Sequence, residues 1–284
     1  VPRNLCTKIS ANLDSKFAST VTLGTVALQG VRRLKPTLGE TIVVLGLGVL
    51  GQIGFQLLKA NGCRVIGVDL NDSRVRLAKK LGIDYAFHPD EVNSIDHVHR
   101  LTDGYGADGV MVSAAGSSDE IMSQAFRMCR KRGRVVLVGD VGLNLRRQDI
   151  FKNELDFYIS TSYGPGRYDP TYEEGGIDYP FGDVRWTENR NMQEYVRLLV
   201  EGTVNLDGLV SKAVPVEDAD DAYQRLKSET GDMIVLLEYP KRSIDTVTAS
   251  TIFGKQKDLS GEVGLGLIGA GSFAKGMHLP NIER

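Results

Sequence analysis

The sequence predicts a doubly wound α/β fold, a parallel sheet buried between two layers of helices. Three observations point there. Short runs apolar on both faces recur at Thr41–Leu45, Arg64–Val68, 109–112 and 134–138, the texture of strands covered on both sides by crossover helices. Stretches of helical period separate them. A glycine-dense turn follows the first run, in a chain with 32 glycines among 284 residues, about 11% against the roughly 7% of average usage.

The elements follow in order. A helix over 19–34 stops ahead of Pro36, because the residue before proline avoids helical geometry. After the strand at 41–45, Val49, Ile53 and Leu57 recur every fourth residue on one helix face. After the strand at 64–68, Val75, Ala78 and Leu81 recur behind a cap at Asp72 or Ser73. His88, before Pro89, closes a third strand as a loop residue. Ile121, Ala125 and Met128 mark a further helix that is expected to run to a stop at Gly133. A last regular strand is expected at 155–161. Right-handed crossovers between such strands build the doubly wound sheet.

Residues 162–190 break the pattern. They have no sustained period, yet hold four of the ten tyrosines and the single tryptophan, Trp186. A structureless connection of that length is uncommon and is usually functional or disordered. Beyond it come a helix at 191–201, a strand near 209–214, a helix at 217–227 and a strand at 233–238.

Composition excludes some functions. Lys+Arg 34 against Asp+Glu 36 leaves a net charge of −2, so no basic field draws nucleic acid. No apolar run reaches the roughly 18–20 residues of a membrane span. Cys6, Cys63 and Cys129 are too scattered for a zinc ribbon or disulfide framework and are expected to be reduced, half-buried thiols of a cytoplasmic protein. His97 and His99, at i and i+2, point to different sides of a helix and are expected on an exposed charged face, not at a metal. The chain opens Val-Pro-Arg, without methionine or leader, which suggests a piece of something longer.

Gly46-Leu47-Gly48-Val49-Leu50-Gly51 fits the dinucleotide-binding pattern G-x-G-x-x-G between a strand and a helix. Gly46 permits the tight turn, Gly48 lets backbone approach a pyrophosphate, and Gly51 lets helix and strand pack closely. Val49 and Leu50 open the helix, whose free N–H groups favour phosphate charge. Asp69 ends the second strand 18 residues past Gly51, where a carboxylate accepts ribose hydroxyls and repels a 2′-phosphate. NAD is therefore favoured and NADP is the less favoured cofactor. Arg74 either covers the adenosine side or lends tolerance for that phosphate; both readings stay open.

These residues resemble a known family. Glu40-Thr41 through Leu81-Gly82, Ser113-Ala114-Ala115-Gly116, the run from Gly133 to Gly139, and Val214-Pro215-Val216 ahead of Ala222-Tyr223 resemble the medium-chain alcohol dehydrogenase superfamily over about residues 1–240. The resemblance implies a Rossmann cofactor domain in which Ala114, Ala115, Val138 and Gly139 line the nicotinamide half and Thr25 touches its ring. It also shows departures. The family's N-terminal substrate domain is missing, leaving residues 1–18 as its remnant. Val21 stands where zinc-dependent members place a Cys or Glu ligand, so catalytic zinc is not supported in this chain. Met233 stands where an arginine often meets the pyrophosphate.

A second fingerprint closes the chain. Gly264 to Ala274 again runs from an apolar strand into G-x-G-x-x-A, and with Lys275 to Pro280 it resembles the start of the glucose–fructose oxidoreductase/inositol dehydrogenase family. The tandem order resembles bacterial two-domain oxidoreductases of surface-polysaccharide and sugar metabolism, truncated at both ends. The expected organisation is thus a remnant at 1–18, the Rossmann domain at 19–161, the aromatic loop at 162–190, the C-terminal part of the dehydrogenase unit at 191–240, a linker at 241–262, and the first β-turn of a second Rossmann domain at 263–284.

The expected function is nicotinamide-dependent hydride transfer on a small alcohol, polyol or sugar. The alternatives are a zinc-free NADPH reductase of the quinone-reductase type and a non-catalytic NAD-binding scaffold. No catalytic residue is assigned, Tyr163 being the best-placed proton carrier, and the isolated fragment is expected to be inactive. Tyr163, Arg167, Tyr168, Asp169, Tyr172, Glu173, Arg185 and Trp186 offer rings and charges for a sugar, or for a neighbouring domain or the second subunit of a homodimer.

Overall fold

The apolar run at the head of the glycine turn folds as β1 (Thr41–Leu45), with all five residues buried. In this computed structural model, residues 2–211, 213–227 and 233–240 are described, together with Leu279. β1 pairs in parallel with β2 (Arg64–Val68), which pairs in turn with β3 (Tyr85–Phe87). On its other side β1 pairs with β4 (Ala107–Val112). A two-residue β5 (Ala115–Gly116) follows, then β6 (Cys129–Leu137), a two-residue β7 (Asp140–Val141) and β8 (Asp156–Ile159). The sheet order is β3-β2-β1-β4-β6-β8, parallel throughout. It reverses direction of growth at β1/β4, the place where such sheets bind ligands beyond their carboxyl ends.

Helices cover both faces. Ahead of the sheet lie α1 (Ser15–Ala18) and α2 (Val21–Leu34); α3 (Val49–Ala60), α4 (Asp72–Lys80), α5 (Ser94–Leu101) and α6 (Glu120–Met128) follow β1 to β5. Short helices α7 (Arg147–Phe151) and α8 (Pro170–Glu173) precede α9 (Glu188–Val200). Alternation along each strand divides the core. Ile42, Val44, Val65, Met111 and Val136 pack with α2, α3 and Tyr195 of α9. Val43, Ile66, Val110 and Val135, which face the other way, pack with Val98 of α5 and Met122, Ala125 and Phe126 of α6. Each such side chain, fully withdrawn from water, contributes about 1.5–3 kcal/mol, so both helical layers are held by the sheet.

A smaller ladder joins β9 (Val214–Pro215) to β10 (Leu237–Glu238), with α10 (Ala219–Lys227) between them in sequence after a 3₁₀ turn at Val216–Asp218. The strands expected at 209–214 and 233–238 reduce to this ladder and one bridge between Val210 and Ile234. The chain divides into two units, Val1–Tyr239 and Pro240–Arg284. The proposed linker at 241–262 and the second fingerprint at 263–284 lie outside the described residues, Leu279 apart.

Several local expectations are corrected. The helix expected over 19–34 begins at Val21, because the Ser19 and Thr20 hydroxyls bond back to the carbonyls of Lys16 and Phe17 and close α1. Asn71, not Asp72 or Ser73, caps α4, its side chain accepting from the N–H groups of Ser73 and Arg74. α6 ends at Met128 rather than at Gly133: Cys129 is extended and starts β6, and the chain bulges through Arg132 in left-handed geometry. The strand at 155–161 is confined to 156–159, and the helix expected from 191 starts at 188, where Thr187 caps it. The thiols are not uniformly half-buried: Cys6 is exposed, Cys63 and Cys129 buried. Nor do His97 and His99 form an exposed face. His97 packs edge-on against Phe87 at 4.7 Å, and His99 bridges the carbonyls of Gly104 and Arg127.

α2 and α9 meet where Gly24 leaves room for the Tyr195 ring, whose hydroxyl lies 3.2 Å from Thr20 Oγ1. A Cβ at Gly24 would overlap that ring, and the ring is fully buried and cannot swing away. Gly24→Ala is therefore expected to lower unfolding free energy by about 1–3 kcal/mol in urea denaturation. An unchanged midpoint would show that α9 is not seated on α2 in this way.

Candidate functional site

Where β1, β4 and β6 end, the backbones crowd together. Gly46 turns the chain at φ +90°, a left-handed conformation that glycine adopts without strain. Its N–H donates to the Val68 carbonyl at 2.8 Å, and its own carbonyl accepts from Ser113 Oγ at 2.6 Å. A Cβ on Gly51 would strike the Gly46 carbonyl oxygen, and one on Gly139 would strike the Ala114 carbonyl oxygen. Bare backbone is what permits the three strand ends to converge. β5 and β7 then pair beyond them, Ala115 against Asp140.

The turn is pinned by Asp69. One carboxylate oxygen accepts from Leu47 N–H at 2.6 Å and the other from Asn71 N–H at 2.8 Å. The Arg74 guanidinium stands 3.7 Å away, partly exposed, while the Asp69 side chain is only 6% exposed. Gln52, buried on α3, donates to the carbonyls of Leu47 and Arg74 and ties turn, α3 and α4 together. No side chain caps α3, so the amides at its start have no side-chain acceptor. A Cβ built on Gly48 would meet nothing within 4 Å.

Most of the residues singled out in the sequence therefore share one edge. Gly46, Gly48, Val49, Leu50 and Gly51 form the turn and helix start; Asp69 and Arg74 stand at the end of β2 and in α4; Ala114, Ala115, Val138 and Gly139 follow β4 and β6. Thr25 is set apart from solvent: it is wholly buried in α2 and its hydroxyl donates to the Val21 carbonyl at 2.5 Å. Ser113 and Gln52 were missed as site residues. A glutamine on an otherwise apolar helix face, directly after the glycine turn, was the available signal for the second.

The aromatic loop is ordered from within. Asp169 caps α8 and accepts from Tyr179 OH, Tyr172 and Tyr179 stack at 5.3 Å, and Arg167 pairs with Glu173 at 2.6 Å. Asn191 Nδ2 reaches the Tyr163 carbonyl at 3.0 Å, and Asn4 Nδ2 the Tyr172 carbonyl at 2.9 Å. Of the rings offered to a ligand, Tyr172 is buried while Tyr168 is exposed.

Beneath the loop lies a residue that periodicity did not flag. Glu188, at the start of α9, is fully buried, and neither carboxyl oxygen has a hydrogen-bond partner among the described residues. Burial, and then the charge of Glu173, pushes its carboxyl up to about 7, against a partial pull by Arg167. A carboxyl raised above its ordinary value contributes stability that is full below about 4.5 and lost as pH rises through about 7. Glu188→Gln, which copies the neutral form, is expected to leave the melting temperature unchanged at pH 5 and raise it at pH 8. A gain of equal size at both pH values would contradict this assignment.

Among the described residues no group of three or more His, Cys, Asp and Glu side chains is placed to hold a metal ion, and Val21, opening α2, presents an alkyl group. The described residues do not assemble the donor set of a zinc site. No helix among them is long and apolar enough to cross a membrane.

Comparison with known proteins agrees with this geometry. Residues 49–174 match the family model described as zinc-binding dehydrogenase. The chain is 28% identical over 239 residues to a sorbitol dehydrogenase of Halalkalibacterium halodurans, covering 82% of this chain and 61% of that protein. It is 29% identical over 205 residues to the D-guloside 3-dehydrogenase of Escherichia coli, covering 70% and 54%. The chain thus spans between half and two thirds of these relatives. The crystal structure of 2R,3R-butanediol dehydrogenase from Bacillus subtilis superposes with a TM-score of 0.67 at 22% identity, over 83% of this chain and 60% of that one, which shows a shared fold. Residues 49–174 thus resemble the zinc-binding dehydrogenase family model, and the chain carries a Rossmann-like parallel sheet.

Proposed function

We propose that this chain supplies the cofactor half of a nicotinamide-dependent dehydrogenase acting on a small alcohol, polyol or sugar, with NAD preferred over NADP. The observation that carries the proposal is the bond between Leu47 N–H and Asp69 Oδ2. It sets the glycine turn and the acid side by side, so that a dinucleotide with its pyrophosphate at the turn can reach the acid with its adenosine ribose.

In this reading the amides of Gly48, Val49 and Leu50 hold the pyrophosphate, where no other charge competes for the start of α3. A carboxylate has about four acceptor sites, so Asp69 retains capacity for ribose hydroxyls after accepting from Leu47 and Asn71. Arg74, 3.7 Å from that carboxylate, covers the adenosine side. Ala114, Ala115, Val138 and Gly139 present small side chains and backbone along the nicotinamide half. Bound there, the nicotinamide would supply hydride transfer, while the protein's part is to fix the ring against the substrate carbon and exclude water. Tyr163, just past β8, is the proposed proton carrier.

Thr25 is assigned to the nicotinamide side, though its burial requires α2 to shift before it could touch a ligand. The family likeness of the relatives named above favours a polyol or sugar substrate. Residues 263–284 are proposed as the opening of a second dinucleotide-binding domain, joined through a linker at 241–262. Val21 favours one rival, a zinc-free NADPH reductase, and Asp69 opposes it.

Titration with NADH and NADPH, followed by cofactor fluorescence, tests the proposal. The parent chain should bind NADH at least tenfold more tightly, a difference of about 1.4 kcal/mol. Asp69→Asn keeps an acceptor for Leu47 N–H but removes the charge, and should bring the two affinities close together. Equal affinities in the parent, or a preference unmoved by Asp69→Asn, would overturn it.

A further inference from the structure

A second charged region stands away from the glycine turn, where α2 and α3 hand over to the amino ends of β1 and β2. A cavity of about 400 Å³ opens there, floored by Leu28, Val31, Leu57 and Leu198 and rimmed by Arg32, Lys35 and the Arg197–Glu194 pair. β1, at about 3.3 Å per residue, separates this edge of the sheet from the dinucleotide edge. Volumes of roughly 300–1,000 Å³ are those of small-molecule sites.

Trp186 forms one wall. The guanidinium carbon of Arg32 lies 3.3 Å from its ring centroid and that of Arg185 3.7 Å. Two cations so close to one centroid cannot share a face without colliding, so the indole is sandwiched between them. Neither arginine has a carboxylate within ion-pair distance among the described residues: Arg32 Nε donates to the neutral amide oxygen of Asn191 at 2.8 Å. The acids nearby are spent elsewhere. Glu194 and Glu201 pair with Arg197, and Asp178 pairs with Arg190 at 2.6 Å. Burial pulls the Arg32 guanidinium down to about 10, Glu194 pulling the other way and Arg185 adding to the fall. A half-buried cation placed beside a second cation, and answered by Glu194 only from beyond ion-pair distance, costs free energy that a bound anion would return.

We propose that Arg32 and Lys35, beside the Trp186 wall, form a site for a phosphate ester of sugar size. The Arg32 fork matches phosphate oxygens, Lys35 adds a second positive charge, and the leucine and valine floor receives the ester's carbon skeleton. Both indole faces are already covered, so the ligand enters beside the ring and not stacked upon it. The site is independent of the dinucleotide cradle, and its success or failure leaves that assignment untouched.

Trp186 is the only tryptophan in the chain; it lines this cavity and a neighbouring one that lacks Arg32 and Lys35, so its emission reports binding here and variants of those two residues assign the change to this cavity. The full chain is titrated with glucose 6-phosphate and, separately, with inorganic phosphate, against glucose and sodium chloride at matched ionic strength. A saturable change in emission with either phosphate species, absent with glucose and chloride, is expected, and the tighter binder identifies the source as ester or free phosphate. Arg32→Gln should weaken it at least tenfold. Lys35→Gln, an exposed side chain whose loss does not threaten folding, should weaken it severalfold, with far-ultraviolet circular dichroism confirming that both variants fold. A change that never saturates, that chloride reproduces, or that survives unweakened in folded Lys35→Gln would overturn the proposal.

Discussion

The hydrogen bond from Leu47 N–H to the Asp69 carboxylate ties together everything at the carboxyl edge of the sheet. It joins the turn after β1 to the end of β2, and through Asn71 N–H to the cap of α4. A buried charge needs such partners to be tolerated at all. Asp69 meets that need with two backbone amides and a partly exposed arginine, and leaves the start of α3 without a competing anion. The convergence of Gly46, Ser113, Ala114 and Gly139 depends on the same turn, because every strand end there approaches another's backbone closely.

Much of this edge was legible because its signals are local. Five buried residues, four of them apolar, followed by glycines and an acid at the end of the next strand are patterns of short range, and β1, β2, the turn and Asp69 stand where the pattern puts them. Boundaries were less legible, since they depend on which polar side chain wins a backbone group: Asn71 over Asp72, and the Ser19 and Thr20 hydroxyls over a continuous helix. The bulge before Arg134 likewise follows from pairing with β4, which no window of sequence contains.

The aromatic loop was illegible for a deeper reason. Its order comes from contacts such as Asn4 with Tyr172 and Asn191 with Tyr163, made across 168 and 28 positions of chain. Local period carries no trace of them. The burial of Glu188 and the pairing of Trp186 with Arg32 are consequences of the same long-range docking of α9 on α2. The loop, read from sequence as one surface for a ligand, divides in space: Tyr172 and Glu188 turn inward, whereas Trp186 faces α2.

The most direct measurement of the central claim is amide chemical-shift mapping of the isotopically labelled chain on addition of NAD. A dinucleotide held at the carboxyl edge would concentrate the changes at residues 46–51, 69, 113–115 and 138–139. Saturating NAD that leaves those amides unmoved, or moves only amides elsewhere in the chain, would contradict the account.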